Sequence, residues 1–463
     1  MLLRCLVLWI AISTVAVLAA PLSFQLLDDY DPKQTHVVLV SAIGCDKNDA
    51  LSTCGLSYSV EAEVAHVYHL LIEKGIPEDN IITLFKNNSR YAEYTEPKDS
   101  LYDDKNFTTN WRPGLKIDYS NNEVNSTNFL AVIKGDENAL NCTSCTRRVL
   151  KTTESDRIFI YHEGHGDDGV LYFSEDWVDV LTVKELNSAL TSMQQEKKFN
   201  QLSMFVMACY SSSMFENNLN IGGNIFAVTA AKSDEVAKPK DCVTLGTNMN
   251  TTFCLNSEMG SAFVNDDTHN NPQFETMEEQ FEHLRSNVFR STVSKYGSIA
   301  ISSEPTAYFQ GPNKLPSKPK TTKSIEVNNF DDEEPLPIAP IASYLLLKRR
   351  LAKAQSLEVI AELKAQLKAM ESERDEMQAM RLKMLNRLMK TNDNKIHEKL
   401  INNPPAGITA VDCHHNVMKT FARECPRYIK SPFVHDFTRP LVNLCEHGIS
   451  SHEIISEMRE RCH

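Results

Sequence analysis

The chain has 463 residues, room for two or three domains and a sizeable core. It is 42% hydrophobic and 24% charged, the balance of a globular protein rather than a disordered or fibrous one. Its net charge of −13 argues against a nucleic-acid binder, which would carry a basic face.

The first residues, MLLRCLVLWIAISTVAVLAA, place one basic residue, Arg4, before an apolar run that ends in the small Ala19 and Ala20. That order predicts a secretory signal peptide over residues 1–20, with a signal anchor as the alternative. No later stretch is long and apolar enough to span a bilayer, so no membrane span is expected. Of 12 cysteines, Cys5 lies in the signal segment and eleven follow it. Ten group locally: Cys45 with Cys54, Cys142 with Cys145, Cys242 with Cys254, and a tail set of Cys413, Cys425, Cys445 and Cys462. Cys209 is left over, and an odd cysteine in a secreted chain is either an intermolecular bridge or a reactive thiol. Sequons at Asn87, Asn106, Asn125, Asn141 and Asn250 predict glycosylation on the same route.

From His36 the pattern alternates. HVVLVSAIG is an apolar strand, SVEAEVAHVYHLLIEKGIP a helix stopped by Gly75 and Pro77, and NIITLFKNN a second strand. STNFLAVIKGD is a short capped helix, IFIYHEGHG a strand, and TVKELNSALTSMQQEKKF a helix. LSMFVMAC and GNIFAVTAA are further strands. Strand, helix, strand in repetition predicts an α/β fold, a parallel sheet flanked by helices, over residues 21–310. Residues 311–343 are rich in Pro, Lys and acids and read as a linker. From Tyr344 a charged helical segment runs to about Leu400, with Leu357, Ile360, Leu363, Leu367 and Met370 near one face. The four-cysteine tail reads as a compact stapled helical unit, so residues 344–463 form an all-α C-terminal domain.

Two strands end unusually. Ile158–Phe173 reads IFIYHEGHGDDGVLYF, and Leu202–Met214 reads LSMFVMACYSSSM. His165 and Cys209 each sit just past the carboxyl end of an apolar strand, and in an open parallel sheet ligands bind at that rim. Adjacent strands would bring the two side chains together. An imidazole beside a thiol supplies thiolate character and later protonates a leaving amine. Backbone N–H groups of Gly166 and Cys209 are candidate oxyanion donors. The plain alternative is a buried core thiol and a satisfied turn histidine. His162 and His165 are three apart at a strand end, not the helical spacing of a zinc pair, so no metal is expected. Asp167 and Asp168 read as solvated turn residues. No cofactor motif is found, and no cofactor is expected.

These residues resemble the legumains, asparaginyl endopeptidases of peptidase family C13 with the caspase-haemoglobinase fold. The match covers Phe159, Ile160, Tyr161, His165 and Gly166, then Ala208, Cys209, Ser211, Ser213 and Met214 of ACYSSSM. EKGIPEDNII, NFLAVIKGD, VTAA, FQG and the tail LVNLCE match as well. The resemblance implies a caspase-like sheet followed by a disulfide-stapled helical prodomain, in which Cys413 pairs with Cys445 and Cys425 with Cys462. It implies a zymogen of the secretory pathway, bound for a lysosome, vacuole, gut lumen or other extracellular site. There it would hydrolyse protein and peptide substrates in acid. It further implies a prodomain that covers the cleft at neutral pH and leaves on acidification and proteolysis, and inhibitors of cystatin type as partners.

This sequence also departs from the family. Ser57 stands at the Asn that supports the catalytic His, and Ser59 and Val60 at the following Arg and His. Met207 stands at a pocket Glu, and Asn256 near a pocket Asp. Replacing Arg and Glu by Ser and Met removes groups suited to binding a primary amide, so cleavage after Asn is not assured. Asn48 is a candidate for the missing Asn role. Gln355 occupies the family's self-cleavage Asn; Asn313, Asn328, Asn329 and the run Lys348, Arg349, Arg350 are alternative cut sites. Two other readings stay open. One is a degenerate homologue that binds a partner through the old cleft. The other is the peptidase of the lipid-anchor transamidase, which shares the Gly164-His165-Gly166 context but lacks the stapled tail.

Overall fold

Runs rich in β-branched and aromatic residues form the strands of a central sheet. The computed structural model describes residues 30–44, 54–87, 99–219, 223–245, 251–315, 340–391, 393–405 and 407–462. The signal segment, the proposed Cys45–Cys54 bridge, Asn48, Asn250, Asn328, Asn329 and most of the linker lie outside the described residues. Asp31–His463 form one compact unit.

The strands are β1 (Thr35–Ser41), β2 (Ile81–Phe85), β3 (Tyr119–Ser120), β4 (Arg157–Glu163), β5 (Gly166–Asp167), β6 (Val170–Tyr172), β7 (Val180–Thr182), β8 (Gln201–Met207), β9 (Ile225–Thr229), β10 (Pro239–Leu245), β11 (Thr251–Ser257) and β12 (Ser294–Gly297). The helices up to Gly311 are α1 (Cys54–Glu73), α2 (Ser126–Lys134), α3 (Val183–Gln195), α4 (Glu258–His269), α5 (Met277–Asn287), α6 (Ile299–Ser302) and α7 (Ala307–Gln310). Strand order in the main sheet is β12-β9-β8-β4-β1-β2-β3, parallel except for the edge strand β12. This is the expected helix-flanked parallel sheet.

Alternate residues of each central strand feed two cores. Val38, Ile160 and Met204 pack on one face, and Val37, Phe159 and Phe205 on the other. Burial on both faces is why these strands read as continuous apolar runs rather than alternating ones. Each such side chain taken out of water contributes roughly 1.5–3 kcal/mol. Local signals place the helices. Asn125 caps α2, which ends at Gly135 in the left-handed region (φ 71°), and Thr182 with Glu185 forms a capping box on α3. Two small sheets complete this part: the β10–β11 hairpin, bridged by Cys242–Cys254, and β5-β6-β7. The Cys142–Cys145 bridge also forms.

The C-terminal helices are α8 (Ala342–Lys353), α9 (Leu357–Met389), α10 (Asn394–Asn402), α11 (Val411–Glu424), α12 (Pro426–Ile429), α13 (His435–Glu446) and α14 (Ser451–Cys462). The single helical segment expected from Tyr344 to about Leu400 is therefore broken twice. Ala354 and Ser356 adopt extended backbone around an exposed Gln355, and Lys390 ends α9 in the left-handed region. Bridges Cys413–Cys445 and Cys425–Cys462 span 32 and 37 residues. Loops of that length restrict the unfolded chain by roughly 3–4 kcal/mol each. No helix among the described residues is long and apolar enough to cross a membrane.

Candidate active site

The register brings the two strand ends together. β4 pairs with β8 so that Glu163 lies opposite Met207, and Gly164 N–H donates to the Met207 carbonyl at 3.1 Å. Two residues further on each strand stand His165 and Cys209. At Gly166 a Cβ would lie 2.4 Å from the Cys209 carbonyl oxygen and 3.2 Å from Ala208 Cβ, so only glycine permits this approach. Gly166→Ala must therefore push the two strand ends apart. A displacement of about 1 Å costs on the order of 10²-fold in rate, and peptide turnover of that variant measures it.

The turns that follow are tied together. Tyr210 takes a left-handed conformation (φ 53°) and starts the short helical turn Ser211–Met214. Ser213 Oγ donates to the Tyr210 carbonyl at 2.6 Å and accepts from Gly169 N–H at 2.8 Å. Cys209 is fully buried with its Sγ 3.9 Å from the Ala237 carbonyl, and none of the four bridges among the described residues includes it. Burial pushes its thiol up to about 12, so the thiolate is disfavoured in this arrangement. The His165 ring, 5% exposed, packs against Trp177. His162 is separate: its ring packs edge-on against Phe129 and Phe173, and burial lowers it to about 4.

The pocket and histidine-supporting positions that depart from the legumain pattern are buried: Ser57, Ser59 and Val60 on α1, Met207 at the end of β8, and Asn256 on β11. Asn256 Nδ2 donates to the Asp103 carbonyl at 2.5 Å and to Asp241 at 3.2 Å. The apolar Met207, Ala230, Ala237 and Met259, together with Lys238, Ser257, Glu258 and Ser291, line a small recess with about 10 Å³ of free volume. Ser257 Oγ is already committed to Glu63, which also accepts from Tyr161 Oη at 2.6 Å. Glu163 is buried against Glu63; burial and then the Glu63 charge raise its carboxyl well above the usual range. Ser59 Oγ and Asn256 Oδ1 have no hydrogen-bond partner among the described residues, and the Glu163 and Glu63 carboxyls face each other, one of them protonated so that the pair shares a hydrogen bond.

Asp167 and Asp168 are not the solvated turn residues expected. Both are buried, and the C-terminal helices sit on them. Arg439 Nε donates to Asp168 at 2.9 Å, with side-chain exposures of 12% and 0%. Thr438 Oγ1 donates to Asp167 at 2.6 Å, and His435 pairs with the same carboxylate. The His435 ring stacks on Tyr210 at 4.4 Å, and Arg439 lies over the same ring. His414 Nε2 reaches the Asp168 carbonyl at 2.9 Å. Burial alone would raise Asp167, but the His435 charge and hydrogen bonds from His435 and Thr438 hold it below its ordinary value. Asp168 stays above its ordinary value because burial outweighs His435 and Arg439. Asp167, Asp168 and His435 also lie close enough to share a cation, but Arg439 already neutralises that corner. So the residues just after His165 and Cys209 are gripped by α11 and α13.

A thiol and an imidazole at neighbouring strand ends of a parallel sheet, with backbone N–H groups close by, are the parts of a cysteine-dependent acyl-transfer site. The sequence profile of the Peptidase C13 family matches residues 52–312, more than half of the chain, and the chain belongs to that family as a divergent legumain-like member. Hemoglobinase of Schistosoma mansoni is 29% identical over 88% of this chain and 88% of its own length. Legumain of Homo sapiens is 26% identical over 88% and 90%, and the vacuolar-processing enzyme delta-isozyme of Arabidopsis thaliana 25% over 88% and 87%. Among solved structures, caspase-1 of Spodoptera frugiperda aligns with 61% of this chain and 93% of its own at 6% identity and a TM-score of 0.36.

Proposed function

We infer that Cys209 and His165 are the catalytic pair of this chain, which is a cysteine-type endopeptidase. The observation that supports the assignment is the register that carries both strand ends to the same carboxyl rim, with the Gly166 backbone against the Cys209 carbonyl. In this reading His165 takes the thiol proton, Cys209 Sγ attacks the peptide carbonyl, and the Gly166 and Cys209 N–H groups hold the oxyanion. His165 then protonates the leaving amine, and water releases the acyl group from sulfur. The chain is a legumain-like zymogen of the secretory pathway. Residues 1–20 are its signal peptide, 21–310 its peptidase domain and 344–463 its prodomain. Asn87, Asn106, Asn125, Asn141 and Asn250 are its glycosylation sites. Its acidic destination follows the relatives' family.

The pocket supports a preference other than Asn. Met207 is apolar, Ser257 is engaged with Glu63, and the Asn256 amide nitrogen is committed to Asp103 and Asp241. The test is cleavage of a peptide library by the acidified protein, read by mass spectrometry, with Cys209→Ser as control. Cysteine-dependent cuts establish the peptidase; no cuts after the prodomain has left favour a binding protein.

His414 makes prodomain docking pH-sensitive. It is fully buried against Asp168, burial lowers it to about 4, and its Nδ1 has no partner among the described residues. Above the ordinary histidine range, docked and undocked forms are both neutral and His414 contributes no pH dependence. As pH falls, the undocked form gains a proton that the docked form refuses, and docking weakens until the docked group titrates. Between pH 7 and pH 5 this linkage favours the undocked state by about twenty-fold. His435 and Asp167 act oppositely in mild acid. A raised His435 keeps its charge there, and a lowered Asp167 stays ionised. His414→Gln, which keeps a donor but not the titration, is expected to flatten the acid release measured by Cys209 alkylation against pH.

A further inference from the structure

We propose that Trp177 is the positioning residue for the His165 imidazole, a role that rests on the reading of His165 as the catalytic base. The Trp177 ring lies 4.5 Å from the His165 ring, centroid to centroid, at 38°. It is 9% exposed, and the Tyr172 ring holds it edge-on at 5.1 Å and 85°. Trp177 sits in the loop joining β6 to β7 with φ 63°. A bulky residue in the left-handed region is strained by roughly 1–3 kcal/mol, and such strain persists only where surrounding structure enforces it.

The enforcement is visible. Trp177 N–H closes a turn on the Ser174 carbonyl, and Phe173 N–H donates to the Asp179 carbonyl. The Asp179 carboxylate accepts from both Ser126 N and Ser126 Oγ at the start of α2. The loop is thus pinned to the fold independently of the indole, and the indole is pinned over the imidazole. At Ser57, where the legumain pattern has a supporting Asn, this chain offers only a hydroxyl. An indole face does two things that an amide does by other means. It fixes the ring plane by packing. Its negative face also favours an imidazolium, the partner of the thiolate, by an interaction worth roughly ten-fold in an equilibrium. Trp177 acts through His165 and touches neither substrate nor thiol.

The experiment compares full-length wild type with Trp177→Phe, Trp177→Leu and Trp177→Met after acid treatment. Two quantities are read: the pH profile of Cys209 alkylation by iodoacetamide, and kcat and KM on a cleaved peptide. Leu and Met should lower both the neutral-pH alkylation rate and kcat about ten-fold, leave KM within two-fold, move the alkaline limb of the kcat profile to lower pH and the rising limb of the alkylation profile to higher pH. Phe, which keeps an aromatic face, should hold both limbs near their wild-type positions. Leu or Met matching wild type overturns the proposal. So does equal damage from Phe and Leu with unmoved limbs, which marks a merely structural role. Met serves if Leu does not fold. If the wild type shows no cysteine-dependent turnover, the peptidase reading fails, and the alkylation profiles still decide the role of Trp177.

Discussion

Cys209→Ser is expected to abolish peptide turnover, by at least about 10³-fold. The substitution changes one atom at a fully buried position, so the strand ends, the Ser213 contacts and the C-terminal grip should persist. What is lost is the chemistry. A hydroxyl is a far weaker acid than a thiol, and His165 alone cannot supply an equivalent nucleophile. In the closed form the thiol itself is pushed up to about 12 by burial. Activity therefore needs both the thiol and an opening step that exposes it to water and to the imidazole. The two requirements separate experimentally. Turnover by both proteins at acid pH tests the nucleophile, and iodoacetamide labelling of residue 209 before and after acidification tests the opening. Hydrolysis by the Ser variant at the wild-type rate would defeat the assignment.

Much of the fold and of the site is legible in the sequence. β1, β2, β4, β8 and β9 are short apolar runs bounded by polar or turn residues, whereas the edge strands β3 and β12 are short and polar and carry no such signal; His165 and Cys209 mark the ends of β4 and β8. The odd cysteine points to Cys209, which takes no part in the four bridges among the described residues. The tail bridges follow the family pairing. Three features are not legible, for physical reasons. Asp167 and Asp168 are short acids in a Gly-flanked turn, the pattern of a solvated loop; their burial depends on Arg439, Thr438 and His435, some 270 residues away. No local propensity announces Trp177 in the left-handed region, because only the tied loop around it makes that conformation tolerable. The break at Ala354–Ser356 carries neither Gly nor Pro, so helical periodicity runs straight through it. An adjacent pair of acids just past a candidate catalytic strand is the available hint, and it points to a partner surface rather than to solvent.

Arg439→Ala is expected to free the C-terminal helices at neutral pH. The Arg439–Asp168 pair is 2.9 Å long and almost wholly buried. Removing the guanidinium strips Asp168 of its hydrogen-bonded partner and leaves it only the His435 charge, shared with Asp167, in a site whose burial already raises its carboxyl. Breaking one partner of a buried pair costs about 3–5 kcal/mol, whereas replacing both costs far less. If the whole cost falls on docking, the undocked population rises by about 10² or more, and the neutral-pH alkylation rate of Cys209 should rise by about that factor. Arg439→Ala combined with Asp168→Ala should recover a large part of the docking, because no buried charge then remains at that position. The cycle distinguishes a clamp from simple loss of packing over Tyr210. Arg439 also covers that ring, and losing the cover would hurt the single and the double variant alike. A single variant that alkylates no faster than wild type would show that α11 and the His435–Asp167 contact hold the helices without Arg439. In that case the acid response would rest chiefly on His414.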